Sequence, residues 1–334
     1  MQLVHVKAAS WLWITWLITF TLAVDHSQDC DCGFVNNNGL FTDYWYTDFS
    51  SYQGDLQWDP SFFVGNYSID AKYPGTYARS FRSDNVLVAN NSLQLLVSVG
   101  DSVECASVGT KRQDMLYGSF RVWIKSTNIP GTVAAFFLFS NENEIDVELL
   151  SSVQPPQTYF AIHPGIIDPS SGRASSLTHT NYMMSYTPSE EFHEYRFDWM
   201  PNQAIFYIDG EQVNNLYTNI PSTPGRIMLN HWTDGNKNFS EGPPAQNAVM
   251  EIKNMTLFFN ATTETGPEMK CQIMQTACNI DDVVQGFTPS ASTPPAPIST
   301  VASLGIAAST PPAGLIIGIL CAAIFTLTPH LCQL

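Results

Sequence analysis

Glu144-Ile145-Asp146-Val147-Glu148 places three carboxylates at alternate positions inside an apolar run. Residues two apart on a β-strand share a face, so the acids point one way while Ile145, Val147 and Leu149 point the other. Like charges at that spacing repel and raise each other's pKa values. One chemistry that uses such a set is cleavage of a glycosidic bond, which takes two carboxyl groups flanking one acetal, one held protonated near neutral pH. A solvated strand face is the simpler alternative, and the surrounding sequence decides between them.

The elements that must position these acids read as strands. Runs rich in Val, Ile, Phe, Tyr and Trp fall at Ser92–Val99, Tyr117–Ile124, Val133–Phe139, Glu144–Leu150, Thr158–His163, Tyr195–Trp199, Ala204–Ile208, Arg226–His231 and Ala248–Phe259. Asp209-Gly210 is a two-residue hairpin signal. No long stretch carries a helical period, and Thr187–Phe192 offers at most one turn. A straight strand separates the Cα atoms of Glu144 and Glu148 by about 13 Å. A retaining glycosidase needs its carboxyl groups about 5–5.5 Å apart. The sheet must therefore bow, and the two side chains must lean inward.

The Glu144–Glu148 pattern resembles the active-site strand of family 16 glycoside hydrolases, written E-x-D-x-E. Tyr117-Gly118 with Lys125, and the apolar Gly131–Phe137, are similar to the family's preceding strands. His193-x-Tyr195-x-x-x-Trp199, Tyr207-Ile208-Asp209-Gly210 and Met228-Leu229-Asn230-His231-Trp232 continue the resemblance in order. It implies an all-β, concanavalin A-like jelly roll of two antiparallel sheets with a concave glycan-binding face. It also implies roles: Glu144 as nucleophile, Glu148 as acid and base, Asp146 as their assistant. Trp232, Tyr117 and Phe136 become candidate platforms for sugar rings, with His231 beside them. Ordinary packing competes for these: Ala134–Leu138 is apolar on both faces, which favours the core for Phe136, and His231 and His163 suit structural roles. Where family members frequently carry Trp, this chain has Phe136 and Phe137.

Both ends read as processing signals. Residues 1–23 form a signal peptide with Lys7 as its one charge, cut after Ala23. Residues 24–287 form the catalytic sandwich, and residues 288–303 a stalk rich in Ser, Thr and Pro. Residues 304–334 fit a GPI-attachment propeptide with Ser303 as the attachment residue and Ser299 as an alternative. The expected location is the outer face of the cell membrane or the wall. A net charge of −16 argues against nucleic-acid partners and suits neutral or cationic polymers such as glucan. Asn66, Asn90, Asn238, Asn254 and Asn260 occupy N-glycosylation sequons.

In an oxidising compartment, Cys271–Cys278 is expected to close a local disulfide, with Cys30 or Cys32 reaching Cys105. No cofactor is expected, and structural calcium is left open. The leading expectation is a monomeric, retaining, endo-acting β-1,3 or β-1,3/1,4 glucan hydrolase. A cell-wall glucan or chitin transglycosylase uses the same acids with a sugar acceptor. A silent lectin-like module on the same sandwich predicts binding without turnover, and Glu144→Gln separates it from an enzyme.

Overall fold

Apolar residues that alternate with polar ones build half-buried strands, and two sheets of such strands close over one interior. The computed structural model describes residue 30, residues 32–263 and residues 277–284. One sheet pairs, in order, Phe62–Val64, Val103–Thr110, Arg226–Trp232, Val133–Phe139, Glu144–Leu150, Gln157–His163 and His179–Met183. The other pairs Val86–Ala89, Ser92–Val99, Ala248–Ala261, Met115–Lys125, His193–Met200, Gln203–Ile208 and Glu211–Leu216. Asp43–Asp48 extends the second sheet along the far half of Ala248–Ala261. This is the all-β jelly roll expected from the sequence. Asp209 and Gly210, both at positive φ, turn the chain between Gln203–Ile208 and Glu211–Leu216. Thr187–Phe192 forms a turn and not a helix.

The interior is aromatic. Phe136 lies 5.0 Å from Phe197 between ring centroids, and Phe160 lies 4.4 Å from Phe206, each pair bridging the two sheets. Val147 and Leu149 add to the same cluster, so the apolar half of the acidic strand anchors it to the core. The expectation of Phe136 as a sugar platform is thereby corrected. Its register partner is Val147, which faces inward, and Phe136 is fully buried with it. Tyr117 is corrected as well. It belongs to the second sheet, at a positive-φ bulge, with its ring edge-on to Trp199 at 5.1 Å.

The cysteines pair differently from the expectation. Cys278 bonds Cys30, because a short parallel ladder lays Cys278–Asn279 against Phe34–Val35 and brings the two Cα atoms to 5.4 Å. Cys32 is also disulfide-bonded. Cys105 is a buried free thiol. It packs with Val133 and Trp232 on the first sheet, whereas Cys30 packs with Phe41 and Phe258 against the second. Opposite sides of the sandwich keep them apart. Cys271, the signal peptide, the stalk and Ser303 lie outside the described residues. Among the described residues no helix is long and apolar enough to cross a membrane. Asn66, Asn90 and Asn238 are exposed, while Asn254 and Asn260 are half-buried on Ala248–Ala261.

Truncating Phe136 leaves a cavity between the sheets. Phe136→Ala is expected to lower unfolding free energy by about 3–5 kcal/mol in urea denaturation.

Candidate active site

Strand parity and register assemble the site. Glu144, Asp146 and Glu148 project from the face opposite Val147, and all three are buried, at 4, 6 and 9% exposure. Their cross-strand partners on one side are Phe139, Phe137 and Ala135, and on the other His163, Ala161 and Tyr159. One strand further, Arg226, Met228 and Asn230 continue the same rows, with Trp232 beyond them. Alanines flank Asp146 and Glu148 where larger side chains would fill the floor, and a groove remains above the acids.

Burial removes water from these carboxyls, and that desolvation is the main force on their protons. It pushes Glu148 up to about 8, with the Glu144 charge adding to the rise and Arg79 opposing it. Asp146 is raised well above the usual carboxylate range by burial first, then by Glu144 and Glu148. Burial also drives His163 down to about 4, helped by Lys72 and His179. The 3.4 Å contact between His163 Nε2 and Asp146 Oδ2 thus joins a neutral imidazole to a protonated carboxyl; it is not an ion pair. Facing atoms of Glu144, Asp146 and His163 lie within 4.8 Å of one another, which suits a proton-sharing cluster. At neutral pH the strand offers a protonated acid at Glu148.

The groove has two unlike halves. One contains Asp146, Glu148 and His163 and is walled by Lys72, Tyr73, Tyr77, Asp234, Trp232 and Phe239. The other contains Glu144 and is walled by Phe63, Tyr67, Ile69, Phe139, Arg226 and Met228. Arg79, Phe137 and Asn230 line both. Glu144 and Glu148 therefore look into adjoining halves that meet over three shared side chains. The polar wall is stitched by Tyr77, whose N–H donates to the Asp234 carbonyl at 2.8 Å and whose hydroxyl lies 3.1 Å from Thr233 Oγ1. Gly235, at φ +76°, allows this, since a Cβ there would come within 2.5 Å of the Tyr77 ring.

Trp232 lines the groove. His231 does not: it is fully buried, its Nδ1–H donating to the Leu95 carbonyl at 2.8 Å and its Nε2 accepting from Thr132 Oγ1 at 2.9 Å. Burial lowers it to about 4, a neutral structural histidine. Adjacent strand residues cannot share a face, so Trp232 in the groove sends His231 into the core. The same parity makes Phe137, not Phe136, the aromatic of the groove floor. Asn230, which the sequence reading passed over, carries an Oδ1 that is buried without a hydrogen-bond partner among the described residues. Its even spacing from Trp232 was the signal available.

The family model for glycosyl hydrolases family 16 matches residues 75–253, spanning all three acids, Arg79, Asn230 and Trp232. A β-glucanase of Paenibacillus polymyxa is 28% identical over 198 residues, covering 55% of this chain and 78% of that enzyme. A Crh-like protein, UTR2, of Candida albicans is 31% identical over 140 residues, 38% of this chain and 28% of the fungal one. The solved β-glucanase of Bacillus licheniformis shares the fold at TM-score 0.53 and 20% identity, over 64% of this chain and 97% of its own.

A carboxyl whose folded pKa is raised stabilises the fold while it holds its proton. For Glu148 that contribution is complete below about pH 4.5 and is lost as pH rises through about 8. Glu148→Gln keeps the shape and cannot ionise. Its stability relative to the parent is expected to climb by roughly a few kcal/mol between those limits and then level off, read by urea denaturation across pH.

Proposed function

For a chain that belongs to glycosyl hydrolase family 16, and is thus an enzyme of the glycoside-hydrolase type, we propose retaining, endo-acting cleavage of β-1,3 or β-1,3/1,4 glucan. The carrying observation is that Glu144 and Glu148 face one groove from its two halves while Glu148 is held protonated. Glu144 attacks the anomeric carbon and forms an ester as the glycosidic C–O bond breaks. Glu148 gives its proton to the departing oxygen. In the second step Glu148 takes a proton from the incoming hydroxyl, whose oxygen replaces Glu144 on the same carbon. Two inversions give net retention. Asp146, neutral beside His163, donates a hydrogen bond towards the nucleophile and limits the charge on the strand.

An endo mode suits a groove that continues on both sides of the acids. Phe137 on the floor supplies an apolar face for a sugar ring, and Trp232 on the wall, its ring flanked by Arg79 and Phe239, supplies its edge. Asn230 Oδ1 supplies an acceptor for a sugar hydroxyl, which would satisfy an otherwise orphaned buried atom. The polysaccharide is the partner, reached at the cell surface through the anchor whose signals lie outside the described residues.

The second reading is transfer to a sugar acceptor. It is supported by the groove wall beyond Glu148, where Trp232, Tyr73 and Phe239 can hold a chain in place of water. Following labelled glucan and chitin oligosaccharides separates the two, since hydrolysis creates reducing ends and transfer redistributes chain length.

Glu144→Gln is expected to lower kcat/KM more than about a thousandfold while glucan still binds. Retained turnover would remove Glu144 as nucleophile, and an α-configured first product, seen by NMR, would exclude retention. Asn230→Ala is expected to cost about tenfold to a hundredfold in kcat/KM, the effect of one lost hydrogen bond to substrate.

A further inference from the structure

Arg79 stands where the two halves of the groove meet and lines both. It opens the short strand Arg79–Phe81, which pairs with Tyr67–Ile69 and runs parallel to Val103–Thr110. Its guanidinium lies over the Trp232 ring, 4.8 Å from the centroid. Among the described residues no carboxylate lies within 4.0 Å of it. A cation so placed is pinned by a ring and not consumed by an ion pair.

We propose that Arg79 is a positioning residue for the reaction, a counter-charge held in reserve for Glu148 when that carboxyl becomes an anion. The inference rests on the roles proposed above for Glu144 and Glu148. Before the first step Glu144 is the charged member of the pair and Glu148 keeps its proton. Esterification of Glu144 removes that neighbouring negative charge in the same event that leaves Glu148 ionised. The anion then has Arg79 across the groove, and it must survive there until an acceptor hydroxyl gives up its proton. Arg79 thus favours the half-reaction in which Glu148 acts as base.

Other titratable groups face Glu148 without serving this purpose. On its own strand Glu144 repels it, and Asp146 holds a proton. His163 and His179, from the neighbouring strands, are lowered by burial, and Tyr159 beside them is raised. Lys72 lines the same half and acts on His163. Asp70, Tyr73, Tyr77 and Asp234 line the same half, and Arg226 lines the opposite half over the Phe63 ring. Arg79 is the cation whose charge bears on Glu148.

The test compares Arg79→Met, Arg79→Gln and Arg79→Lys in the secreted protein, acting on a soluble mixed-linkage β-glucan. Removing the cation lets Glu148 hold its proton to higher pH. Both neutral variants should therefore move the basic limb of kcat/KM up by about half a pH unit or more, with lysine holding it near the parent position. With an aryl β-glycoside that has a good leaving group, the neutral variants should also accumulate the Glu144 ester, seen by intact-protein mass. Loss of kcat/KM with an unmoved limb in whichever neutral variant folds, as judged by thermal unfolding, overturns the proposal and leaves Arg79 a packing residue. A limb restored by no lysine variant overturns it equally. Glu144→Gln serves as the control: turnover there sinks the underlying mechanism, whereas a silent Glu144→Gln with an unmoved Arg79 limb sinks this inference alone.

Discussion

Three carboxyl groups on one strand face, all taken out of water, are the constraint around which this sandwich is organised. A buried, unpaired carboxylate is far too costly to keep, so the group either finds donors or finds a proton. The protein does both, in different places. On the second sheet Asp198 is fully buried and meets the Arg196 guanidinium at 2.7 Å and the amides of Asn36 and Asn38 at 3.1 and 2.6 Å. On the first sheet Asp146 and Glu148 have no such cradle among the described residues, and they keep their protons. A saturated carboxylate is inert, and a protonated one is an acid waiting for a base. That difference in surroundings distinguishes the structural from the reactive side of the molecule.

Much of the first sheet serves to keep that unsaturated face open and dry. Ala135 and Ala161 stay small beside Glu148 and Asp146, and Phe137 covers the floor between them. His163, which could have neutralised an acid as imidazolium, is itself too buried to charge. On the reverse face Val147 and Phe136 lock the strand to Phe197 of the opposing sheet. The acids are held rigidly because the residues between them are core residues, so one strand couples packing to chemistry.

The two ends of the described chain reinforce the other sheet. Cys30–Cys278 and the Phe34–Cys278 ladder clasp residues 248 apart, and Arg121 reaches Asp281 at 3.0 Å from beneath that clasp. Phe41 and Phe258 fill the space between clasp and sheet. The Cys30–Cys278 link therefore lies away from the groove. Cys105, buried beside Trp232, stays a thiol, raised by burial to about 11 and donating to the Thr233 carbonyl.

What the sequence by itself determined was local. Period-two alternation put the acids on one face and their apolar partners on the other, and the strands Val133–Phe139 and Glu144–Leu150 run between the residues where the pattern begins and ends. Residue type made Trp232 a groove candidate. Everything that depends on which strand lies beside which was left to the tertiary structure. Whether Phe136 or Phe137 faces the acids turns on the register that sets Asp146 against Phe137, and the choice of Asn230 over His231 follows from the same rows. Tyr117 was lost because its strand belongs to the far sheet, and Cys278 found Cys30 because a parallel ladder closes a long loop. Arg79, 65 positions before Glu144 in the chain, reaches the groove because its strand pairs with Tyr67–Ile69 on one side and Val103–Thr110 on the other. Alternation is a property of neighbours along the chain. Register is a property of neighbours across it, and only folding supplies those.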